Sequence, residues 1–365
     1  MKTDTIYFLR KLISDGEETI YRMETIYIDI GSTDIKFCNS QDKKKIHTVP
    51  FPMSLTRFPY FEADAEEIIC AVRAIINQFP TAEKILFSVQ MHGYILRMKS
   101  GTVLPYVSWR DRRAETFAKG DIEVKLPFQC GTSCKPNLPA VSIRYRIGSG
   151  EFALTDIDEF FTLGSYLIYR LTGKNATHIT DAAATGFYDG VGNASVTPFR
   201  LPQVMKFSAV GKYEGKSVYT PIGDHQASIV SLDSSVLRRC VILNMGTAAQ
   251  ICSVGDRYIN FNKCLCESRP FFEGRRLYTV TGLFGGEWIR CNYQDKRGQV
   301  EAAIQYRKAI SVLPTKNELA VIAGRVSEYF GGFLENVLNR LDMPWFYAHS
   351  SALDGLAKLA EVKRT

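Results

Sequence analysis

Apolar and polar positions near the start of the chain predict three consecutive strands. The apolar run Ile26-Tyr27-Ile28 ends in the polar turn Asp29-Ile30-Gly31-Ser32-Thr33, and Ile35-Lys36-Phe37-Cys38 reads as the returning strand of a hairpin. Residues Ile46-His47-Thr48-Val49 can add a third strand. We therefore expect a small antiparallel unit whose first turn carries both a glycine and hydroxyl groups.

Helical spacing follows this unit. Apolar residues recur from Ile68 to Phe79 at helical intervals, and Pro80 ends the pattern. The run Ile85-Leu86-Phe87-Ser88-Val89 then predicts a buried strand. A second helix is predicted from about Asp158 to Leu171, closed by Thr172-Gly173.

A polar break at Leu232-Asp233-Ser234-Ser235 marks the predicted domain change. It divides a first domain, residues 24–234, from a second domain, residues 235–365. Residues 1–23, which precede the first domain, are predicted to be an N-terminal extension. The predicted elements of the second domain are the strand Val241-Ile242-Leu243, one long helix from Leu319 to Leu341, the strand Trp345-Phe346-Tyr347 and a last helix from Leu353 to Val362.

Composition narrows the class of protein. The 365 residues are enough for two domains, and the net charge of +7 comes from dispersed basic residues, which argues against nucleic-acid binding. No apolar stretch approaches the ~20 residues of a membrane span. Nine cysteines without the spacing of a zinc site favour reduced thiols in a cytoplasmic protein. A homodimer is one arrangement that the sequence leaves open.

The segment Thr220-Pro221-Ile222-Gly223-Asp224-His225-Gln226 carries the strongest chemical signal. It places one carboxylate beside a glycine, between two turns that could bind phosphate. Phosphoryl transfer needs positioning, charge neutralisation and one carboxylate that accepts the proton of the attacking hydroxyl. We therefore predict Asp224 as a general base. The alternative is that Asp224 only caps a helix beginning at Ala227.

Each of the two turns follows a short apolar strand. Gly31, Ser32 and Thr33 lie in the first turn, and Gly246 and Thr247 lie in the second. Their amides and hydroxyls could cradle phosphates, although the Gly-Lys-Ser/Thr ending of the common phosphate loop is absent. If they only form turns, no chemistry follows from them.

Two further segments suit a polyhydroxyl ligand. Gln90 and His92 follow a strand, and Trp109, Asp111 and Arg113 lie close together later in the chain. Their polar groups can pair with hydroxyls, and the indole offers a flat apolar face for a sugar. The alternative for Arg113, as for its neighbours Arg110 and Arg112, is a solvated surface.

Taken in order, these motifs resemble the FGGY carbohydrate kinases, a family of actin-like, ribonuclease-H-like phosphotransferases. The resemblance runs from about Thr25 to Trp288. It is closest to the sedoheptulokinase branch. The residues that carry it are Asp29-Ile30-Gly31-Ser32-Thr33-Asp34-Ile35-Lys36, Gln90-Met91-His92-Gly93, Trp109-x-Asp111-x-Arg113, Tyr169-Arg170-Leu171-Thr172-Gly173, Asp181 with Thr185-Gly186, Gly223-Asp224-x-Gln226-Ala227-Ser228, Leu243-Asn244 with Gly246-Thr247 and Gln250, and Leu283-Phe284-Gly285-Gly286.

The resemblance implies an α/β fold with two actin-like, ribonuclease-H-like domains and a cleft between them, the second domain being incomplete. It implies ATP and Mg²⁺ as cofactors, with Asp29 near the metal, and a ketose of the sedoheptulose or xylulose type as the substrate. The residues that it assigns to the sugar pocket are Gln90, Met91, His92, Trp109, Asp111, Arg113 and Gln226.

The chain departs from the family after Trp288. A glycine-rich adenosine loop is expected near Tyr347 to Leu353, yet the residues there are Tyr-Ala-His-Ser-Ser-Ala-Leu. Without glycine the backbone cannot easily adopt positive φ or approach a nucleotide closely. Two hypotheses follow: an active ketose kinase that recognises the nucleotide mainly through its phosphates, or a catalytically silent sugar-binding or regulatory protein.

Overall fold

The computed structural model of the protein describes residues 24–115, 137–246, 248–259, 266–324 and 326–361. The expected hairpin, third strand, helix and buried strand near the start are all present. Up to α5 the elements are β1 (Thr25–Ile30), β2 (Asp34–Asn39), β3 (His47–Pro50), β4 (Glu62–Ala63), α1 (Ala65–Ile76), β5 (Lys84–Val89), β6 (Tyr94–Met98), β7 (Tyr106–Val107), α2 (Pro139–Gly148), β8 (Ile157–Thr162), α3 (Leu163–Thr172), β9 (Ala176–His178), α4 (Ile179–Ala182), β10 (Gln203–Met205), β11 (Ala209–Tyr213), β12 (Lys216–Tyr219), β13 (Ile222–Gly223) and α5 (Asp224–Ser231).

The rest of the chain contains a second set of strands and helices. These are α6 (Ser234–Leu237), β14 (Cys240–Met245), β15 (Ala249–Gly255), β16 (Cys266–Pro270), β17 (Arg276–Leu283), α7 (Gly286–Asn292), α8 (Lys296–Ser311), β18 (Leu319–Ala323), α9 (Val326–Leu338), β19 (Trp345–Tyr347) and α10 (Ala352–Glu361). The predicted domain change at 234/235 falls inside α6.

The two large sheets repeat one arrangement. In the first, β1 and β2 form an antiparallel hairpin and β5 runs parallel to β1, in the order β11-β12-β5-β1-β2-β3 with β13 beside β5. In the second, β14 and β15 form the hairpin and β18 runs parallel to β14, in the order β16-β17-β15-β14-β18-β19. The turn of each hairpin therefore lies at the same edge of its sheet as the carboxyl end of the parallel strand, which is β5 in the first sheet and β18 in the second.

One apolar core joins the two sheets. It packs Tyr27 and Leu86 of the first sheet against Ile242 of the second, with the buried faces of α5 and α10 between them. The last helix of the chain thus packs on elements of the first domain. At the crossing of α5 and α10, a β-carbon on Gly355 would lie 1.8 Å from the carbonyl oxygen of Ala227. Only glycine permits the two helices to approach this closely.

Two helix predictions were wrong in their bounds. The stretch Leu319 to Leu341 is not one helix, because Leu319–Ala323 forms β18 between β14 and β19 and the helix begins at Val326. An apolar run buried on both faces has no period that separates a strand from a helix. Similarly, Ile157–Thr162 is β8, and the following helix begins at Leu163 with Thr162 as its cap. Its predicted end is confirmed, since Gly173 is left-handed with φ of 79°.

Within the described residues, no helix is both long and apolar enough to cross a lipid bilayer.

The crossing at Gly355 generates a prediction about stability. We expect Gly355→Ala to lower the free energy of unfolding by about 1–3 kcal/mol, because the added methyl group must push the helix backbones apart. Gly332→Ala is the matched control, since Gly332 lies in α9 with open space around it, and alanine in an exposed helix is favoured over glycine. Denaturant unfolding measures both. Equal stability of the two variants would contradict the close crossing.

Candidate active site

A cleft of about 1030 Å³ lies between the two sheets. Residues from both halves line it, including several that the sequence predicted. The lining residues used below are Asp29, Ser32, Lys36, Gln90, Met91, His92, Trp109, Asp224, His225, Asn244, Ala248, Gln250, Arg269, Gly324 and the run from Tyr347 to Leu353. A space of this size, bounded by carboxylates and amides, can hold a small-molecule ligand.

Asp224 begins α5 at the floor of the cleft. The helix starts at Asp224 itself, with Gly223 as its cap residue, so the alternative of a cap for a helix starting at Ala227 does not describe its position. Its carboxylate accepts a hydrogen bond from the His225 amide at 2.8 Å. A β-carbon at Gly223 would lie 2.5 Å from the Met91 sulfur, so glycine lets this turn pack against the segment from Gln90 to His92.

The pKa of Asp224 is raised to about 7. Burial is the largest cause, the negative charge of Asp29 is the second, and Asp181 contributes further, whereas the His225 amide and Arg269 lower the pKa. A carboxylate that titrates near neutrality can accept a proton from a hydroxyl group and release it again.

Asp29 lies near the end of β1 and accepts a hydrogen bond from the Ser88 hydroxyl at 3.0 Å. Burial raises its pKa, and the Ser88 hydrogen bond and the charge of Lys36 lower it. Its field acts on Asp224, so two carboxylates face the same part of the cleft. A divalent cation with its water ligands would relieve this repulsion, and hard oxygen ligands suit Mg²⁺. Among the described residues, no group of three or more His, Cys, Asp or Glu side chains could by itself hold a metal ion.

A third carboxylate, Asp181, is buried behind the cleft. It accepts hydrogen bonds from the hydroxyls of Thr162 at 2.6 Å and Thr177 at 2.7 Å. Burial raises its pKa to about 6, against the effect of these two hydrogen bonds. Because both threonines already hold it, Asp181 acts on the site through its field at Asp224.

Both predicted phosphate turns lie at the cleft. In the first, Ser32 lines the cavity, the Gly31 amide closes the hairpin on the Asp34 carbonyl at 3.0 Å, and the Thr33 carbonyl accepts from the Phe51 amide. In the second, Ala248 lines the cavity and the Gly246 carbonyl accepts from the Gly286 amide at 2.8 Å. Thr247 lies outside the described residues.

The residues predicted to bind the sugar separate into two groups in the structure. Gln90, Met91, His92 and Trp109 line the cleft. Gln90 donates to the Gly31 carbonyl at 3.0 Å, which leaves its buried Oε1 without a hydrogen-bond partner. His92 has a positive φ of 65°, and its Nδ1 donates to the Ala184 carbonyl at 2.8 Å. This backbone turn directs the segment into the cleft.

Asp111 and Arg113 form the second group and lie away from the cavity lining. Asp111 accepts from Nε and Nη2 of Arg113, each at 2.9 Å, and from the Phe61 amide at 3.0 Å. Arg113 also pairs with Glu62 and lies over the ring of Tyr60. Their charged groups therefore bind each other and brace the segment that carries Trp109. The predicted sugar-binding role of both stays a prediction.

His225 is a site residue that the sequence analysis did not single out. It is 6% exposed, it lines the cleft, and neither ring nitrogen has a hydrogen-bond partner. Burial, aided by the charge of Arg269, lowers its pKa to about 3. The imidazole is therefore neutral and offers one donor and one acceptor to a ligand. Its place directly after Asp224 was the available signal.

Gly324 was also missed, because its strand was predicted as part of a helix. It follows β18 with a positive φ of 99°, and a β-carbon there would lie 2.4 Å from the Met245 carbonyl oxygen. A glycine turn thus borders the cleft at this strand end, beside the second phosphate turn. The segment from Tyr347 to Ser351, where the glycine loop was expected, lines the cleft as well.

One family model matches the first part of the chain. Residues 25–192 match the model of the FGGY family of carbohydrate kinases, N-terminal domain. No curated protein sequence matches the chain significantly.

Solved sugar kinases share the fold over nearly the whole chain. Ligand-bound xylulose kinase from Lactobacillus acidophilus superposes with a TM-score of 0.81 at 15% identity, over 93% of this chain and 89% of its own. Gluconate kinase from the same organism gives a TM-score of 0.79 at 15% identity, over 93% and 88%. Xylulose kinase from Rhodospirillum rubrum gives 0.77 at 15% identity, over 92% and 89%. The protein thus has the two-domain α/β fold of these sugar kinases, and the part of it that resembles the N-terminal domain of the FGGY family of carbohydrate kinases is residues 25–192.

Proposed function

We propose that the protein is an ATP-dependent carbohydrate kinase that phosphorylates a hydroxyl of a ketose of the sedoheptulose or xylulose type. The observation that carries the proposal is Asp224, a carboxylate with a pKa of about 7 at the floor of a cleft between two turns. Buried amide oxygens without partners, such as Gln90 Oε1, favour a ligand rich in hydroxyl donors.

In the proposed reaction an acceptor hydroxyl lies beside Asp224. Its oxygen forms a bond to the γ-phosphorus as the bond from that phosphorus to the ADP oxygen breaks, and its proton passes to the Asp224 carboxylate. A bound Mg²⁺ would neutralise phosphate charge in this transfer, and Asp29 would hold it through water. Lys36 and the donors around Ser32 would bind phosphate oxygens.

Location and assembly are part of the same proposal. Among the described cysteines, Cys38, Cys70, Cys240, Cys252 and Cys291 are free thiols. This supports the expected reducing cytoplasm. A homodimer stays a prediction.

An ADP-release assay against ketoses, aldoses, aldonates and polyols tests the substrate. We expect turnover with a ketose and little with glycerol or gluconate. Asp224→Asn should lower kcat by roughly 10²–10⁴-fold, because an amide cannot accept the proton, while calorimetry shows nearly unchanged sugar binding. Unchanged turnover in this variant would rule out the base. Sugar binding without turnover in the wild type would instead support the silent sugar-binding protein.

The pKa of Asp224 predicts how rate and stability depend on pH. The group is raised from 3.8 to about 7 in the folded protein, so the folded state binds its proton more tightly than the unfolded state. The stabilisation from this proton is present at low pH and is lost as the pH rises through about 7. Over the same range kcat/KM should increase, because the base must be ionised.

Thermal unfolding of the wild type and Asp224→Asn over a pH series measures the effect on stability without relying on activity. We expect the Tm of the variant to exceed that of the wild type increasingly above pH 3.8 and to level off above about 7. Parallel Tm curves for the two proteins would contradict the raised pKa.

Nucleotide recognition generates another prediction. In the segment that borders the cleft, the Ser350 hydroxyl donates to the Ser228 carbonyl at 2.7 Å and the Ser351 hydroxyl donates to Asp354 at 2.5 Å. Both hydroxyls are thereby engaged within the protein and are not available to recognise a base. We expect ATP, GTP and tripolyphosphate to bind within about tenfold of each other in calorimetry with Mg²⁺ and sugar, since phosphate contacts dominate. Micromolar ATP binding with strong rejection of GTP would contradict this.

A further inference from the structure

A small recess opens off the sugar side of the cleft, where the two halves of the protein meet. Its volume is about 10 Å³, which is room for about one water-sized group. It is lined by Met91, His92, Thr180, Ala183, Ala184, Gln226, Arg269 and Pro270. Arg269 and Pro270 come from β16, so the recess is closed only when the second half docks on the first.

Gln226 places an unpaired acceptor in this recess. Its side chain is 1% exposed, and Nε2 donates to the Pro270 carbonyl at 3.4 Å. Oε1 has no hydrogen-bond partner. Exchanging the two amide atoms would put Oε1 against a carbonyl oxygen, so this orientation is the one the surroundings require. A buried acceptor without a partner is costly unless a water molecule or a ligand group pairs with it.

Arg269 supplies the matching donor. It is 8% exposed and lines both the recess and the main cleft. Its Nε and Nη2 donate to a single oxygen of Glu267, at 3.0 and 2.7 Å. This ion pair fixes the plane of the guanidinium and compensates its charge. Because a guanidinium has five N–H groups, donors are left for a ligand.

We propose that the recess binds one hydroxyl group of the acceptor, which accepts from Arg269 and donates to Gln226 Oε1. A hydroxyl can do both, whereas a carbonyl or carboxylate oxygen cannot donate to Gln226. The proposal rests on the proposed kinase function and deepens it, because it makes a residue of the second half a determinant of sugar specificity. Glu267 acts as a positioning residue for Arg269.

The wild-type protein alone provides the first test. With the best ketose and its monodeoxy analogues, kcat/KM should fall by roughly 10²-fold or more for one analogue, because its missing hydroxyl leaves the buried groups of the recess unpaired. The ATP KM should not change. Similar kcat/KM values for every analogue, within about fivefold, would overturn the recess while leaving the kinase proposal intact.

Variants test whether Gln226 and Arg269 are the residues that discriminate against the deoxy analogue. In Gln226→Met and Arg269→Met, kcat/KM for the parent sugar should fall to the value for the deoxy analogue that the wild type rejects. The selectivity ratio, which is kcat/KM for the parent sugar divided by kcat/KM for that analogue, should therefore approach one. Glu267→Gln should raise the sugar KM with little change in kcat. Arg239→Gln is the matched control, because Arg239 forms an exposed ion pair with Glu318. This variant should keep the selectivity ratio of the wild type.

The two proposals fail differently. No binding or turnover of any sugar by the folded wild type would overturn the kinase proposal and the ligand assigned to the recess with it. Wild-type selectivity that persists unchanged in folded Gln226→Met and Arg269→Met would overturn the recess alone. Thermal unfolding establishes that each variant is folded, and Arg269→Lys, which keeps a donor, should recover part of the ratio.

Discussion

The close crossing of α5 and α10 is the contact on which the site depends. Gly355 allows the backbone of α10 to meet the carbonyl of Ala227 directly, and Ser350 adds a hydrogen bond to the Ser228 carbonyl. These contacts fix α5 within the apolar core that the two sheets share. Because α5 begins at Asp224, its position determines where the carboxylate stands relative to both turns.

The electrostatics of the cleft follow from that placement. Asp29, Asp181 and Asp224 belong to neighbouring elements and share a poorly solvated region, so the charges of Asp29 and Asp181 raise the energy of ionised Asp224. Arg269 opposes this effect from the second sheet. The balance holds the pKa of Asp224 near neutral pH, which suits a general base. It also lowers the stability of the folded state as the pH rises.

The proposed recognition of the acceptor would draw on both halves of the protein. The first half brings the segment Gln90 to His92 to the end of β5, with the unpaired side-chain oxygen of Gln90 as an acceptor. The second half brings the Glu267–Arg269 pair on an edge strand. Asp111 and Arg113 pair with each other near Trp109 and are not among the residues that line the cleft.

The sequence by itself determined those features that are local. The β1–β2 hairpin, α1 and the Asp224 segment follow from periodicity and turn chemistry within short windows, and the motif order predicted the fold. Only the tertiary structure decided the rest. An apolar run such as Leu319–Ala323 becomes a strand because β14 and β19 flank it, and Gly324 matters only because Met245 lies against it. Arg269 has no local signal, since contacts between residues distant in sequence alone bring it to Gln226 and Asp224.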